Sequence, residues 1–203
     1  MSSEAEIANL AALKMGASAV IVSLDDDRKV ARTIKAVWAI ERRATLREGS
    51  FNFSTTRGTL AKVSGVPAGE LYPYSAAFAL PAAGLRLLEI LNVELRGAYQ
   101  LEKGRVLCSS EGPVCARWIE DVTEPANWDE AFAEAFACRL AWRCGREVQG
   151  ADFDVGTAWK EYQAALSGSK RVDARENPPI AQEESDWILA RYRGVSPPVP
   201  GEY

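Results

Sequence analysis

The stretch Trp128–Val148, WDEAFAEAFACRLAWRCGREV, decides how the chain folds. It is dense in Ala, Phe, Leu and Trp, and Thr123-Glu124-Pro125 leads into it with a proline near the first turn of a helix. At about 100° per residue, Glu130 and Glu134 point one way while Arg139, Arg143 and Arg146 point nearly the opposite way. An ordinary surface helix keeps one polar stripe. Here the stripe changes side halfway, so each flank is apolar for part of its length. Such a helix is expected to pack on more than one side, either at the centre of its own domain or against a neighbouring subunit. Arg139, Trp142 and Arg143 are therefore candidate subunit-interface residues.

Upstream, Ser3 and Glu6 form an S-x-x-E capping box, in which each side chain satisfies a free backbone N–H of the other. Ile7, Leu10 and Ala11 then share one face, and Gly16 supplies the stop. Ser23 and Asp25-Asp26-Asp27 are expected to open a second helix, the carboxylates lying at its positive end. Val30, Ile34, Val37 and Trp38 make its apolar stripe, and Gly49 ends it. From Phe51 the period shortens. Segments 54–63, 78–80, 85–93, 99–101, 105–108 and 114–122 are rich in strand formers. Pro67, Pro73, Pro81 and Pro113 keep them short, and Lys103-Gly104 is a hairpin turn.

Downstream, Gly150 breaks the Trp128–Val148 helix and Asp152 or Asp154 caps the next. Val155, Ala158, Trp159, Tyr162, Ala165, Leu166 and Val172 keep three-and-four spacing up to Asn177-Pro178-Pro179. The fold these signals predict is mainly α with a β insertion (α+β). An antiparallel helical bundle from residues 1–53 and 123–176 carries a small antiparallel sheet from residues 54–122, followed by an extended C-terminal tail, 177–203. That tail holds Trp187, Ile188, Leu189 and Tyr192 between prolines. So short an apolar cluster makes no core of its own, which makes these residues candidate partner contacts, docking on this domain or on another chain.

Composition narrows the function. The chain contains no histidine, which removes the usual general base near neutral pH and the commonest metal ligand. Its net charge of −4 and lack of a Lys/Arg cluster argue against nonspecific nucleic-acid binding. Cys108 and Cys115 are seven apart and Cys138 and Cys144 six apart, neither matching zinc-ligand spacing, so reduced buried thiols are expected. No signal-peptide pattern opens the chain and no run reaches the length of a membrane helix, so a cytoplasmic, soluble product with no membrane partner is expected. Gly168-Ser169-Lys170 matches only the end of a phosphate loop and sits in a helical stretch. Glu120, Asp121, Glu124, Asp129 and Glu130 could offer a carboxylate pair for hydrolysis, but read more simply as a solvated turn feeding a helix. The expectation is a protein without catalytic residues, metal or cofactor. A generic helical interaction or regulatory domain and a carboxylate-based hydrolase stay open as alternatives.

The order of the pieces resembles the tail tubular protein A family, the head-to-tail adaptors of short-tailed bacteriophages. The match runs from the Glu6–Gly16 helix through Ser23-Leu24-Asp25-Asp26, Ala31-Arg32 and Leu46-Arg47. It continues with Phe51-Asn52-Phe53-Ser54 through Arg57-Gly58-Thr59-Leu60, then Tyr72-Pro73-Tyr74 and Leu80-Pro81. Tyr99–Leu107, Trp118–Pro125, Trp128-Asp129 with Phe132, Tyr162–Leu166 and Ser185–Arg191 complete it. Phe51 and Ser54 stand where the family usually has Trp and Ala, Ala82-Ala83-Gly84 replaces a more polar stretch, and the tail beyond Arg193 is extended. The resemblance implies a subunit of a ring, a dodecamer, in the virion tail and assembled in a host cytoplasm. The ring would join the portal protein to the tail nozzle protein, with DNA passing transiently and without sequence preference through its lumen.

Overall fold

The computed structural model describes residues 2–18 and 20–176. The chain runs α1 (Glu4–Lys14), α2 (Lys29–Glu48), β1 (Thr55–Thr59), β2 (Ala61–Lys62), a single-turn α3 (Ala68–Leu71) and β3 (Ala76–Ala79). It continues through β4 (Gly84–Ile90), β5 (Tyr99–Glu102), β6 (Arg105–Cys108), β7 (Cys115–Glu120), α4 (Glu130–Gln149) and α5 (Val155–Glu176).

The caps explain where the helices start. Ser3 Oγ accepts from the Glu6 N–H at 3.2 Å while the Glu6 carboxylate accepts from the Ser3 N–H at 2.7 Å, the reciprocal pair the sequence predicts. Asp129 Oδ1 accepts from the N–H groups of Ala131 and Phe132 and opens α4. Of the two acids offered for α5, Asp154 does the capping, accepting from the Thr157 N–H at 3.0 Å. The acidic run before α2 behaves differently from expectation. Asp26 turns back to accept from the N–H of Val22 at 2.9 Å, so the run forms its own turn, and α2 begins beyond it with Arg28 as an N-cap that makes no side-chain cap bond. A carboxylate that meets a nearer backbone donor first is no longer available to the helix end.

The predicted antiparallel helical bundle carrying one small sheet is corrected: the fold is α+β, with five helices and two antiparallel sheets among the described residues. Two physical features make the difference. First, the helices share a hub instead of a ring of equal neighbours. α1, α2 and α5 all pack on α4, while α1 and α2 scarcely meet each other. α1 approaches through Ala8, Ala11 and Ala12, all fully buried, and the turn before α5 lays the Phe153 ring over Gly145 so closely that a Cβ there would sit 2.2 Å from it. Second, the chain changes sheets at Leu60, which is buried between β1 and β2. One sheet has the order β1-β7-β4 and the other β2-β3-β6-β5.

β7 shows how the layers stack. Its Ile119 belongs to the helical core, with Leu85 and Leu88 of β4 packed beside it. Its Ala116 and Trp118 face the other way, onto Phe78, Val106 and Cys108 of the second sheet. The order is thus helices, first sheet, second sheet, with the first sheet apolar on both faces. Arg42 of α2 locks helices to sheet by a two-pronged bond to Asp121 just past β7, at 2.8 and 3.0 Å, with both side chains nearly out of water. The β5–β6 hairpin turns at Lys103-Gly104, where both residues adopt positive φ (49° and 73°), the geometry of a two-residue hairpin with the right twist. Among the described residues no helix is long and apolar enough to cross a membrane.

Candidate interaction surface

The second half of α4 carries the three residues the sequence singles out, and the structure separates their roles. Arg139 is buried. Its Nε donates to Glu41 Oε2 and its Nη1 to Glu48 Oε1 and, at 2.7 Å, to the Tyr162 hydroxyl. Tyr162 in turn donates to Glu48 Oε2 at 2.6 Å, and Arg143 Nε donates to Glu41 Oε1 at 2.7 Å. The result is one closed network tying α2, α4 and α5 together, with both oxygens of Glu41 and both of Glu48 engaged. Arg139 Nε and Nη1 are therefore engaged inside the chain. The flank of α4 that changes polarity does so because it meets α2 carboxylates there.

Electrostatics follow from that closure. Burial works against the Arg139 charge, but the bonds from Glu41 and Glu48 outweigh it and hold the guanidinium above its ordinary pKa. Burial, reinforced by Glu48, pushes the Tyr162 phenol up. Burial also opposes the charge on Glu48, yet the Tyr162 and Arg139 bonds win and its pKa lies below the usual carboxylate value. A depressed carboxylate contributes stability that is present above its unfolded pKa and is lost as pH falls through the folded one. The melting temperature is therefore expected to drop on acidification below about pH 4.5, the ordinary glutamate value. Glu48→Gln should flatten that drop in a pH series of thermal melts, and an unchanged slope would count against the network.

Trp142 and Arg143 lie on the outside of this network. Trp142 is half-buried with its ring centre 4.6 Å from that of Trp159, and the Arg143 guanidinium stands 5.3 Å over the Trp142 ring. Trp159 keeps 40% of its surface in water, and Val155, one turn earlier on α5, is also exposed. The surface that emerges is a tryptophan pair flanked by an aliphatic side chain and an arginine. Sequence reasoning placed Trp159 and Val155 in the core stripe of α5. A signal was present: Trp159 is about 60° around the helix from Tyr162, the fully buried centre of that stripe.

The other candidates resolve as structural groups. Asp121 holds Arg42, Glu120 accepts from the Thr56 hydroxyl at 2.6 Å, Asp129 caps α4 and Glu130 accepts from the Ser2 hydroxyl. Gly168-Ser169-Lys170 lies within α5, where Ser169 Oγ donates to the Leu166 carbonyl. Cys108, Cys138 and Cys144 are buried and Cys115 is half-buried, all as free thiols, with burial pushing Cys144 up to about 12. Among the described residues no three His, Cys, Asp or Glu side chains group as a metal site. Trp187, Ile188, Leu189 and Tyr192, with the rest of 177–203, lie outside the described residues. A scan of protein-family models and a search of curated proteins give no match to the chain.

Proposed function

We propose that this protein is a structural subunit that works by packing against other chains, as an adaptor ring joining the portal to the tail nozzle of a short-tailed bacteriophage. The observation that carries the packing role is the partly exposed Trp142–Trp159 pair with Arg143 over it and Val155 beside it. Trp and Arg are enriched among the few residues that carry most of the binding energy at protein interfaces. Leaving such a group in water gives no benefit to an isolated domain. The kind of assembly is supported by the ordered resemblance in sequence. An acidic chain, net −4, also suits a lumen through which DNA must slide without being held.

Native mass spectrometry and electron microscopy of the protein with and without its portal test this. Rings are expected, either free or formed on the portal. Trp159→Ser should raise the concentration needed for assembly about 10- to 100-fold, the effect of losing one central aromatic contact, while changing the melting temperature little. A monomer that ignores the portal would dispose of the proposal.

A further inference from the structure

The face of the first sheet that looks toward the helices carries three arginines, Arg57, Arg86 and Arg117. Arg57 of β1 stands directly opposite Arg117 of β7, on the same face, a placement at which like charges repel. Arg57 is exposed and makes no hydrogen bond or ion pair among the described residues. Arg117 has Glu89 on its other side, with Nε 3.1 Å from Oε1, but that contact lacks hydrogen-bond alignment, and its buried Nε is left without a bond. The buried Nε of Arg86 is likewise unbonded, although its Nη2 donates to the Gly49 carbonyl at 2.7 Å and to Ser50 Oγ at 2.9 Å.

Arg86 and Arg117 line a cleft of about 450 Å³, with Lys170 of α5 on its far wall and Phe51 and Leu88 as its apolar side. Glu48 and Asp173 also line it, but both are already engaged, Glu48 by Arg139 and Tyr162 and Asp173 by the Asn52 N–H at 2.6 Å. Among the described residues neither Arg86 nor Lys170 has an ion-pair partner, so the cleft keeps cationic groups that an incoming carboxylate can meet.

We infer that this cleft receives a carboxylate side chain from an extended acidic and apolar peptide segment of a partner chain. Arg117 meets the carboxylate inside the cleft, Arg57 stands opposite Arg117 on β1 just outside the lining, Lys170 adds charge from α5, and Phe51 and Leu88 take the neighbouring apolar side chain. Nucleic acid fits less well. A phosphate backbone is held by a run of cations, whereas Glu48, Glu89 and Asp173 interrupt this one and part of the wall is apolar. The site stands on these residues whether or not the chain assembles into a ring.

The test is fluorescence polarisation with the full chain and a labelled hexapeptide alternating glutamate and leucine. Its glutamine counterpart, a DNA duplex and inorganic phosphate are run beside it. The glutamate peptide should bind about 10-fold or more tightly than the glutamine one, the difference one charge-assisted bond makes. Arg57→Gln should erase most of that preference while leaving the melting temperature unchanged or higher, because it also relieves the Arg57–Arg117 repulsion. Arg117→Gln should act the same way on binding. Equal affinity for both peptides, no binding of either, or a duplex or phosphate that binds as well as the glutamate peptide would each overturn the inference. So would an Arg57→Gln chain that melts earlier yet keeps the preference.

Discussion

Arg139→Ala is expected to cost about 3–5 kcal/mol of stability, the range for removing one partner of a buried ion pair. At roughly 2–4 °C per kcal/mol for a chain of this size, the melting temperature should fall by about 6–20 °C. The reason lies less in the attraction lost than in what is left behind. Glu41 is 3% exposed and would keep only Arg143. Glu48 and the Tyr162 hydroxyl would each lose a donor in the same place. Removing Glu41 together with Arg139 takes both charges out at once, so a Glu41→Gln, Arg139→Met chain should recover more than half of the single-mutant loss. A thermal-melt double-mutant cycle reads the coupling directly. If Arg139→Ala melts within a couple of degrees of the parent, the network adds nothing net and the three helices are held by apolar packing alone.

That network also shows which part of the structure was legible in the sequence. The stripe of α4 changes side between Glu134 and Arg139, and the helix does pack on several flanks, with α1, α2 and α5 around it. The period of a helix carries that information locally. The partner does not appear in it: Glu41 lies 98 residues away from Arg139, so whether the arginines meet a carboxylate within the chain or a neighbouring subunit was open. The strands tell the same story. Their positions, including the Lys103-Gly104 turn, follow from runs of strand-forming residues and the Gly and Pro between them. Their division into two sheets does not, because β1 pairs with β7 across some sixty residues and the switch at Leu60 is one ordinary leucine. The cleft of Arg86, Arg117 and Lys170 was hidden for the same reason, being assembled from two strands and a distant helix. No cationic run marks it in the sequence.

Phe132→Ala is the other large effect, expected at about 3–5 kcal/mol because it leaves a cavity among rings that cannot collapse inward. Phe132 is fully buried, and its ring meets those of Phe51 and Phe53 edge-on at 5.0 Å each, Trp128 at 5.2 Å and 90°, and Phe136 in a stacked contact at 6.2 Å. Phe51 and Phe53 belong to the segment that follows α2, so this single ring joins the helical hub to the entry of the first sheet. Its loss should therefore loosen both layers together, and hydrogen exchange should accelerate in β1 as well as in α4. Phe132→Leu retains much of the volume but none of the edge-to-face geometry, and should fall between the parent and the alanine variant. A cavity lined by apolar rings stays dry and accepts a small aromatic ligand. Benzene is thus expected to raise the melting temperature of Phe132→Ala while leaving the parent unmoved. If benzene fails to do so and the loss is under about 1 kcal/mol, the site relaxes around the deletion, and the aromatic cluster fills space without holding the two layers in register.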